Sequence, residues 1–344
     1  METLWFMVIA FMLAMYVVLD GFDIGAGIIH LFAGKTESER RTIIRSIGPV
    51  WDGNEVWLIA AGGSLYMAFP LLYASSFSGF YLPLIIVLWL LMLRGLGIEF
   101  RLSVRHPLWV RFWDVTFSFA SILLAIFFGA ALGNVVRGVP LNQDGYFFEP
   151  LWTTFTIVPE AGILDWFTVV MGLVAFFTLT VHGSNYVAMK TEGDIQNRAR
   201  SVAFMAWWGV LVCSIVALIA ASFIRPQIWD NFSNHPWGYV FVAIGVVGTS
   251  GMMYHNRRKQ DFLAFLSSSA FIVGMLASTA FGLYPYVLPA STDPKYSLTI
   301  YNTAAQHYGL SVGITWWIFG MILTIGYFVF VYRSFRGKVS ADIY

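Results

Sequence analysis

Two carboxylates, Asp52 and Glu55, stand three residues apart in Gly48-Pro49-Val50-Trp51-Asp52-Gly53-Asn54-Glu55-Val56-Trp57-Leu58. On a helix that spacing places both on one face. The same stretch carries the Asn54 amide and the indoles of Trp51 and Trp57, and it opens a long apolar run. A second polar insertion, Asp20-Gly21-Phe22-Asp23, interrupts the run before it. An ionised carboxylate at the centre of a bilayer costs roughly 2.5–3.5 kcal/mol on insertion scales, so membrane helices rarely carry one without a use. Carboxylates and imidazoles at graded depth take up and pass protons, and that is the chemistry these residue types offer. The candidates are Asp23, Asp52 and Glu55, with Asp20 and His182 beside them. A structural reading stands next to each. Acids in the first turn of a helix meet the positive end of its dipole, Asp20 is interfacial, and His182 is a satisfied buried histidine.

The elements that must hold these groups follow from composition. With 58% hydrophobic and 11% charged residues, and a mean hydropathy of +0.71, the chain is far from a soluble domain, which carries about 25% charge. The expectation is an all-α polytopic membrane protein. A crossing needs about 20 apolar residues, and nine spans are expected, near 4–29, 51–69, 77–97, 115–136, 164–186, 202–224, 238–254, 262–283 and 309–332. The first reaches spanning length only if its helix continues through Asp20 and Asp23, which embeds both acids. Met1-Glu2-Thr3-Leu4 lacks the basic region and cleavage site of a secretory signal, so that span is expected to be retained.

Among the 20 Lys and Arg residues, only Arg137, Arg225 and Lys295 fall in connections after even-numbered spans. Arg94 is counted with the loops on the other, basic side. The positive-inside rule then puts the N-terminus outside and the C-terminus in the cytoplasm of a bacterial or archaeal cytoplasmic membrane. Asp20, Asp23, Asp52 and Glu55 all fall near the cytoplasmic side on that topology. The chain, 1–344, is read as one membrane domain. A subdivision into a peripheral first helix and loop (1–49) and two four-helix bundles (50–200 and 201–344) fits the span count, without a residue-level repeat.

Gly21 with Gly25, Gly129 with Gly133, and Gly309 with Gly313 place small residues four apart, where helix backbones can approach. The tryptophans near span ends read as interfacial belts. A net charge of +1 leaves no nucleic-acid footprint. The single cysteine, Cys213, excludes an intrachain disulfide and a cysteine-ligated metal. No metal site is expected. A haem held between helices wants facing histidines or methionines inside spans, and only His182 is even partly placed for that. By itself the chain is not expected to be catalytic.

Gly21-Phe22-Asp23-Ile24-Gly25-Ala26-Gly27 and the Trp51–Trp57 motif resemble the second subunit of cytochrome bd quinol oxidases. So do Ala74-Ser75-Ser76-Phe77-Ser78-Gly79-Phe80-Tyr81, Gly282-Leu283-Tyr284-Pro285-Tyr286-Val287-Leu288-Pro289-Ala290-Ser291 and Tyr296-Ser297-Leu298-Thr299-Ile300-Tyr301-Asn302. The resemblance runs over the whole chain. It implies a larger subunit I that ligates haem b and haem d and oxidises quinol, while dioxygen is reduced to water. It also implies one or two small extra subunits and a structural quinone in some members. Protons come from the cytoplasm through acids matching Asp23 and Asp52, so the membrane is charged without pumping. Glu55 stands where the family has either Glu or Gln, and His182 where other polar residues occur. Trp51, Gly53, Asn54 and Trp57 complete the motif. A proton-coupled secondary transporter is the competing reading, since the glycine-interrupted helix around Asp20–Gly27 resembles a broken-helix substrate site. An assembly scaffold is the third.

Overall fold

A computed structural model describes residues 1–157 and 161–339. Its helices are α1 (Glu2–Ala33), α2 (Glu37–Ile47), α3 (Trp51–Ala68), α4 (Pro70–Gly79), α5 (Tyr81–Glu99), α6 (Pro107–Arg137), α7 (Trp166–Lys190), α8 (Gly193–Ile224), α9 (Ile228–Asn234), α10 (Tyr239–Arg257), α11 (Asp261–Leu283) and α12 (His307–Ser334). Eight of the described helices, α1, α5, α6, α7, α8, α10, α11 and α12, are long and apolar enough to cross a membrane. The helix expected near 51–69 is present as α3, but its polar first turns keep it out of that group. Pro70 lacks an N–H, so α3 ends at Ala68 with Phe69 as its cap, and the chain resumes as α4.

Local signals set the boundaries. Thr36 and Glu39 form a reciprocal capping box at the start of α2, and Asp165 and Thr168 form another at the start of α7. Pro107 opens α6 at the first helical position, where its missing N–H is not needed.

The first helix was expected at the periphery; the structure places its second half at the centre. Every residue from Asp20 to His30 is buried, and α1 packs on α3, α6, α7 and α11. Glycine makes this possible. A Cβ built on Gly25 would lie 2.0 Å from the Leu179 carbonyl oxygen, and one on Gly183 would lie 2.2 Å from the Gly25 carbonyl carbon. The α1 and α7 backbones are therefore in direct contact, as small residues at spacing four allow. Gly129 and Gly133 bring α6 onto α7 in the same way. Gly309 differs from expectation. Nothing lies within 4 Å of a Cβ there, and only Gly313 of that pair is packed, against Met67 and Trp5.

At the end of the molecule poor in basic residues, two connections fold together. A short antiparallel pair, β1 (Tyr286–Leu288) and β2 (Leu298–Thr299), packs beside the loop after α6. Val139 bonds to Pro289 and Ser291 through backbone N–H and carbonyl groups at 3.0 and 2.9 Å. Under these loops the buried Arg137 guanidinium donates to the carboxylates of Glu149 and Asp165 and, at 2.7 Å, to the Asn134 amide oxygen. One cation thus serves two buried acids. Burial pushes the Glu149 carboxyl up to about 7 against the pull of Arg137, with Asp165 adding to the rise.

Two predictions follow from this packing. Gly183→Ala forces α1 and α7 apart against backbone atoms, and overpacking costs typically about 1–3 kcal/mol. We expect a lower unfolding temperature for the purified protein, and an unchanged one would mean the helices can slide apart freely. The folded chain holds the Glu149 proton more tightly than an unfolded chain does. Its contribution to stability is therefore present in full below the ordinary carboxyl value of 4.5 and is lost as pH rises through about 7. Glu149→Gln is expected to flatten the fall in unfolding temperature between pH 5 and pH 8. A slope identical to that of the parent protein contradicts this assignment.

Candidate functional site

The residues of the tryptophan–aspartate motif fan out from the first turns of α3 toward three neighbouring helices. A Cβ on Gly95 of α5 would lie 3.4 Å from the Trp51 ring, and one on Gly53 would lie 3.2 Å from the Tyr327 hydroxyl of α12. Asn54 turns to α1 and Glu55 to α5. Trp57 is buried between Phe11 of α1 and Phe328 of α12, with ring centroids 6.1 and 5.8 Å away. The motif is the junction of α1, α3, α5 and α12.

At that junction Arg94 is wholly buried. It donates to Asp20 Oδ1 at 2.6 Å through Nη1 and to Glu55 Oε2 at 2.9 Å through Nη2. Asp20 is wholly buried and Glu55 partly so. One turn further along α1, Asp23 Oδ2 accepts from Asn54 Nδ2 at 2.7 Å. The Tyr332 hydroxyl donates to Asn54 Oδ1 at 3.0 Å, which fixes the orientation of the amide. Two carboxylates, Asp20 and Glu55, therefore hold one guanidinium, while Asp23, one turn away, is held by a neutral amide.

Among the sequence candidates, Asp20, Asp23 and Glu55 are brought together. Asp52 is not part of that cluster. It lies exposed on α3, with no hydrogen bond or ion pair to any described side chain. His182 sits against α1 at Gly21, wholly buried. Its Nε2 donates to the Val18 carbonyl at 2.8 Å, and its Nδ1 lies 2.8 Å from the Ser268 hydroxyl. With both nitrogens engaged, it ties α1 to α7 and α11.

Sequence reasoning missed two features. Arg94 is counted with the basic-side loops although the expected span 77–97 contains it; it is inside α5 and carries the central charge. Its position in the apolar run Leu90-Leu91-Met92-Leu93-Arg94 was the available signal, because a cation there needs acidic partners. The second is a polar cluster at the basic end. Asp114 Oδ1 accepts from Arg101 Nε at 2.5 Å and lies 2.6 Å from His30 Nε2, while Arg101 Nη2 reaches Glu37 at 2.8 Å. Glu37 is exposed, and His30, Arg101 and Asp114 are buried. Asp20, Asp23, Gly27 and His30 recur at intervals of three, four and three along one stripe of α1. Asp20 Oδ2, Asp23 Oδ1 and His30 Nδ1 are buried polar atoms without a hydrogen-bond partner among the described residues.

Of the two buried histidines, His182 has both ring nitrogens engaged, and His30 has its Nε2 on Asp114 with Nδ1 unpartnered among the described residues. His106, His235 and His307 are exposed, and His255 bonds to Gln260 at 2.7 Å. Among the described residues there is no group of three His, Cys, Asp or Glu side chains placed to hold a metal ion.

Residues 1–335 match the family described as cytochrome bd terminal oxidase subunit II. Subunit 2 of the cytochrome bd ubiquinol oxidase of Bacillus subtilis is 31% identical, covering 99% of this chain and 97% of its own length. Subunit 2 of the Escherichia coli cytochrome bd-I ubiquinol oxidase is 30% identical, with 98% and 95% covered. The fold matches a chain of the bd oxidase structure from Geobacillus thermodenitrificans with a TM-score of 0.76 at 18% identity, covering 97% of this chain and 98% of that one.

Removing one partner of a buried ion pair typically costs about 3–5 kcal/mol, because the other charge is left uncompensated. Arg94→Gln should therefore lower the unfolding temperature sharply. Adding Asp20→Asn to it should recover part of the loss. If the two losses simply add, Asp20 is not the acid that Arg94 compensates.

Proposed function

Because this chain belongs to the cytochrome bd terminal oxidase subunit II family, and so to a quinol:oxygen oxidoreductase complex in a membrane, we propose that its own task is to carry protons toward the oxygen-reducing centre of its partner. The complex oxidises quinol and reduces dioxygen, which consumes protons as well as electrons. We assign haem b and haem d, which would supply the redox chemistry, to subunit I. The bias of Lys and Arg supports an outside N-terminus and a cytoplasmic basic end in a bacterial cytoplasmic membrane. Transport of a separate solute is not needed to account for the embedded acids.

The observation that carries the reading is the line of buried polar atoms on α1. His30, Asp23 and Asp20 each present one atom with no partner among the described residues, and such atoms are where bound water sits. A helical rise of about 1.5 Å per residue separates His30 from Asp23 by about 10 Å, a gap that water must bridge. Glu37 and Asp114 lead in from the basic surface. Arg94 holds Asp20 and Glu55 in place and cannot itself give up a proton. Asp23, held by an amide and not by a cation, is the group free to exchange one.

Asp52 completes the path at the surface. It heads an exposed apolar stripe with Val56 and Ile59, 53% and 72% exposed. On α12, Trp316, Phe319, Leu323 and Phe330 are exposed as well. We assign this α3–α12 face to subunit I, so that Asp52 hands protons across the subunit boundary.

Asp52→Asn and Asp23→Asn, made in the complete complex, should each lower quinol oxidation at least about tenfold, equivalent to about 1.4 kcal/mol in the barrier. Haem absorbance and co-purification of the larger subunit should be retained. Normal turnover in both variants would sink the proton path, and loss of haem would mark the aspartates as structural.

A further inference from the structure

Away from the acid cluster, a groove of about 480 Å³ opens between α1, α7 and α8. Small-ligand pockets measure about 300–1,000 Å³. Its walls are apolar: Ile29 and Phe32 from α1, Phe177 from α7, Met205 and Ala206 from α8. Phe32 and Met205 are more than half exposed, so the groove is open along its side. The polarity is uneven. Lys35, Arg198 and Ser201 gather where α1 ends and α8 begins, which is the basic end of the molecule.

The two cations differ in what they can bind. Arg198 is already engaged: its guanidinium pairs with Glu39 and donates to the Ala33 carbonyl at 2.7 Å. Lys35 is exposed, and its ammonium has no carboxylate partner among the described residues. A long apolar channel with one uncompensated cation at its head fits an amphiphile with an anionic head. A free phosphate ion would gain nothing from the apolar walls, and a neutral isoprenoid would gain nothing from the ammonium. Basic pockets between membrane helices on the cytoplasmic side recognise anionic lipid headgroups.

We propose that this groove is a binding site for one anionic phospholipid of the leaflet at the basic end, with its phosphate on Lys35 and an acyl chain between Phe32, Phe177 and Met205. The site is independent of the proton path. It sits on the opposite side of α1 from the Asp20–Arg94 contact, where α7 and α8 meet that helix.

The test uses the intact complex, stripped of lipid by detergent exchange and offered dioleoyl phosphatidylglycerol or dioleoyl phosphatidylcholine. Native mass spectrometry reads the bound lipid. The parent complex should retain one phosphatidylglycerol more than it retains of phosphatidylcholine. Lys35→Glu should lower that retention about tenfold, while Lys35→Arg keeps it. Ala206→Trp fills the groove from the α8 wall and should expel the lipid with Lys35 still in place. Equal retention of both lipids, an unchanged signal in Lys35→Glu or Ala206→Trp, or a quinone mass displaced by Ala206→Trp overturns the assignment.

Discussion

A guanidinium inside a membrane domain has no solvent to hold its charge, so Arg94 must be surrounded by protein acids or the fold cannot bury it. Asp20 and Glu55 meet that requirement from two helices that are far apart in sequence. The interaction fixes α5 against both α1 and α3. Everything else at the junction follows from that placement: Asn54 then reaches Asp23, and Tyr332 of α12 reaches Asn54. Arg94 bonds through two of its nitrogens, while its Nε and the second oxygen of Asp20 have no partner among the described residues. The ion pair thus helps to organise four helices and still leaves buried polar atoms without a partner among the described residues.

The second constraint is backbone proximity. Gly25 and Gly183 let α1 and α7 touch, and this draws the polar half of α1 into the centre of the molecule. A glycine in a helix interior is destabilising by roughly 0.5–1 kcal/mol relative to alanine. Close packing offsets that cost in a membrane, where association of helices relies on contact and hydrogen bonding rather than on the hydrophobic effect. The His182 bond to the Val18 carbonyl joins the same pair of helices. Buried position and chemistry are therefore coupled. The acids on α1 are shielded because glycine allows their helix to be surrounded.

The two ends of the molecule use arginine in the same way for different purposes. Arg101 gathers Asp114 and Glu37 beside His30, and Arg137 gathers Glu149 and Asp165 beneath the loops of the opposite end. Each puts more than one acid around a single cation. The first joins an exposed carboxylate to the buried stripe of α1. The second ties the loop after α6 to the start of α7 and has no connection to the Asp20–Glu55 cluster, which suits a clasp.

The sequence by itself determined the class of fold and the family. Apolar runs of spanning length reflect the bilayer solvent directly, and motifs such as Gly21–Gly27 and Trp51–Trp57 are local strings. It also determined that Asp20 and Asp23 lie within a helix, since the first span is too short without them. Tertiary structure alone decided which charges meet. Arg94 and Asp20 are 74 residues apart, and so are Asp114 and Arg40, so no local spacing relates them. Nor does helical spacing reveal that Asp52 faces outward while Glu55 turns inward. Three residues on a helix share a face only broadly, and the position of α5 divides that face between them. His182 was legible as a buried histidine, but its partners on α1 and α11 belong to helices that the chain brings together only on folding.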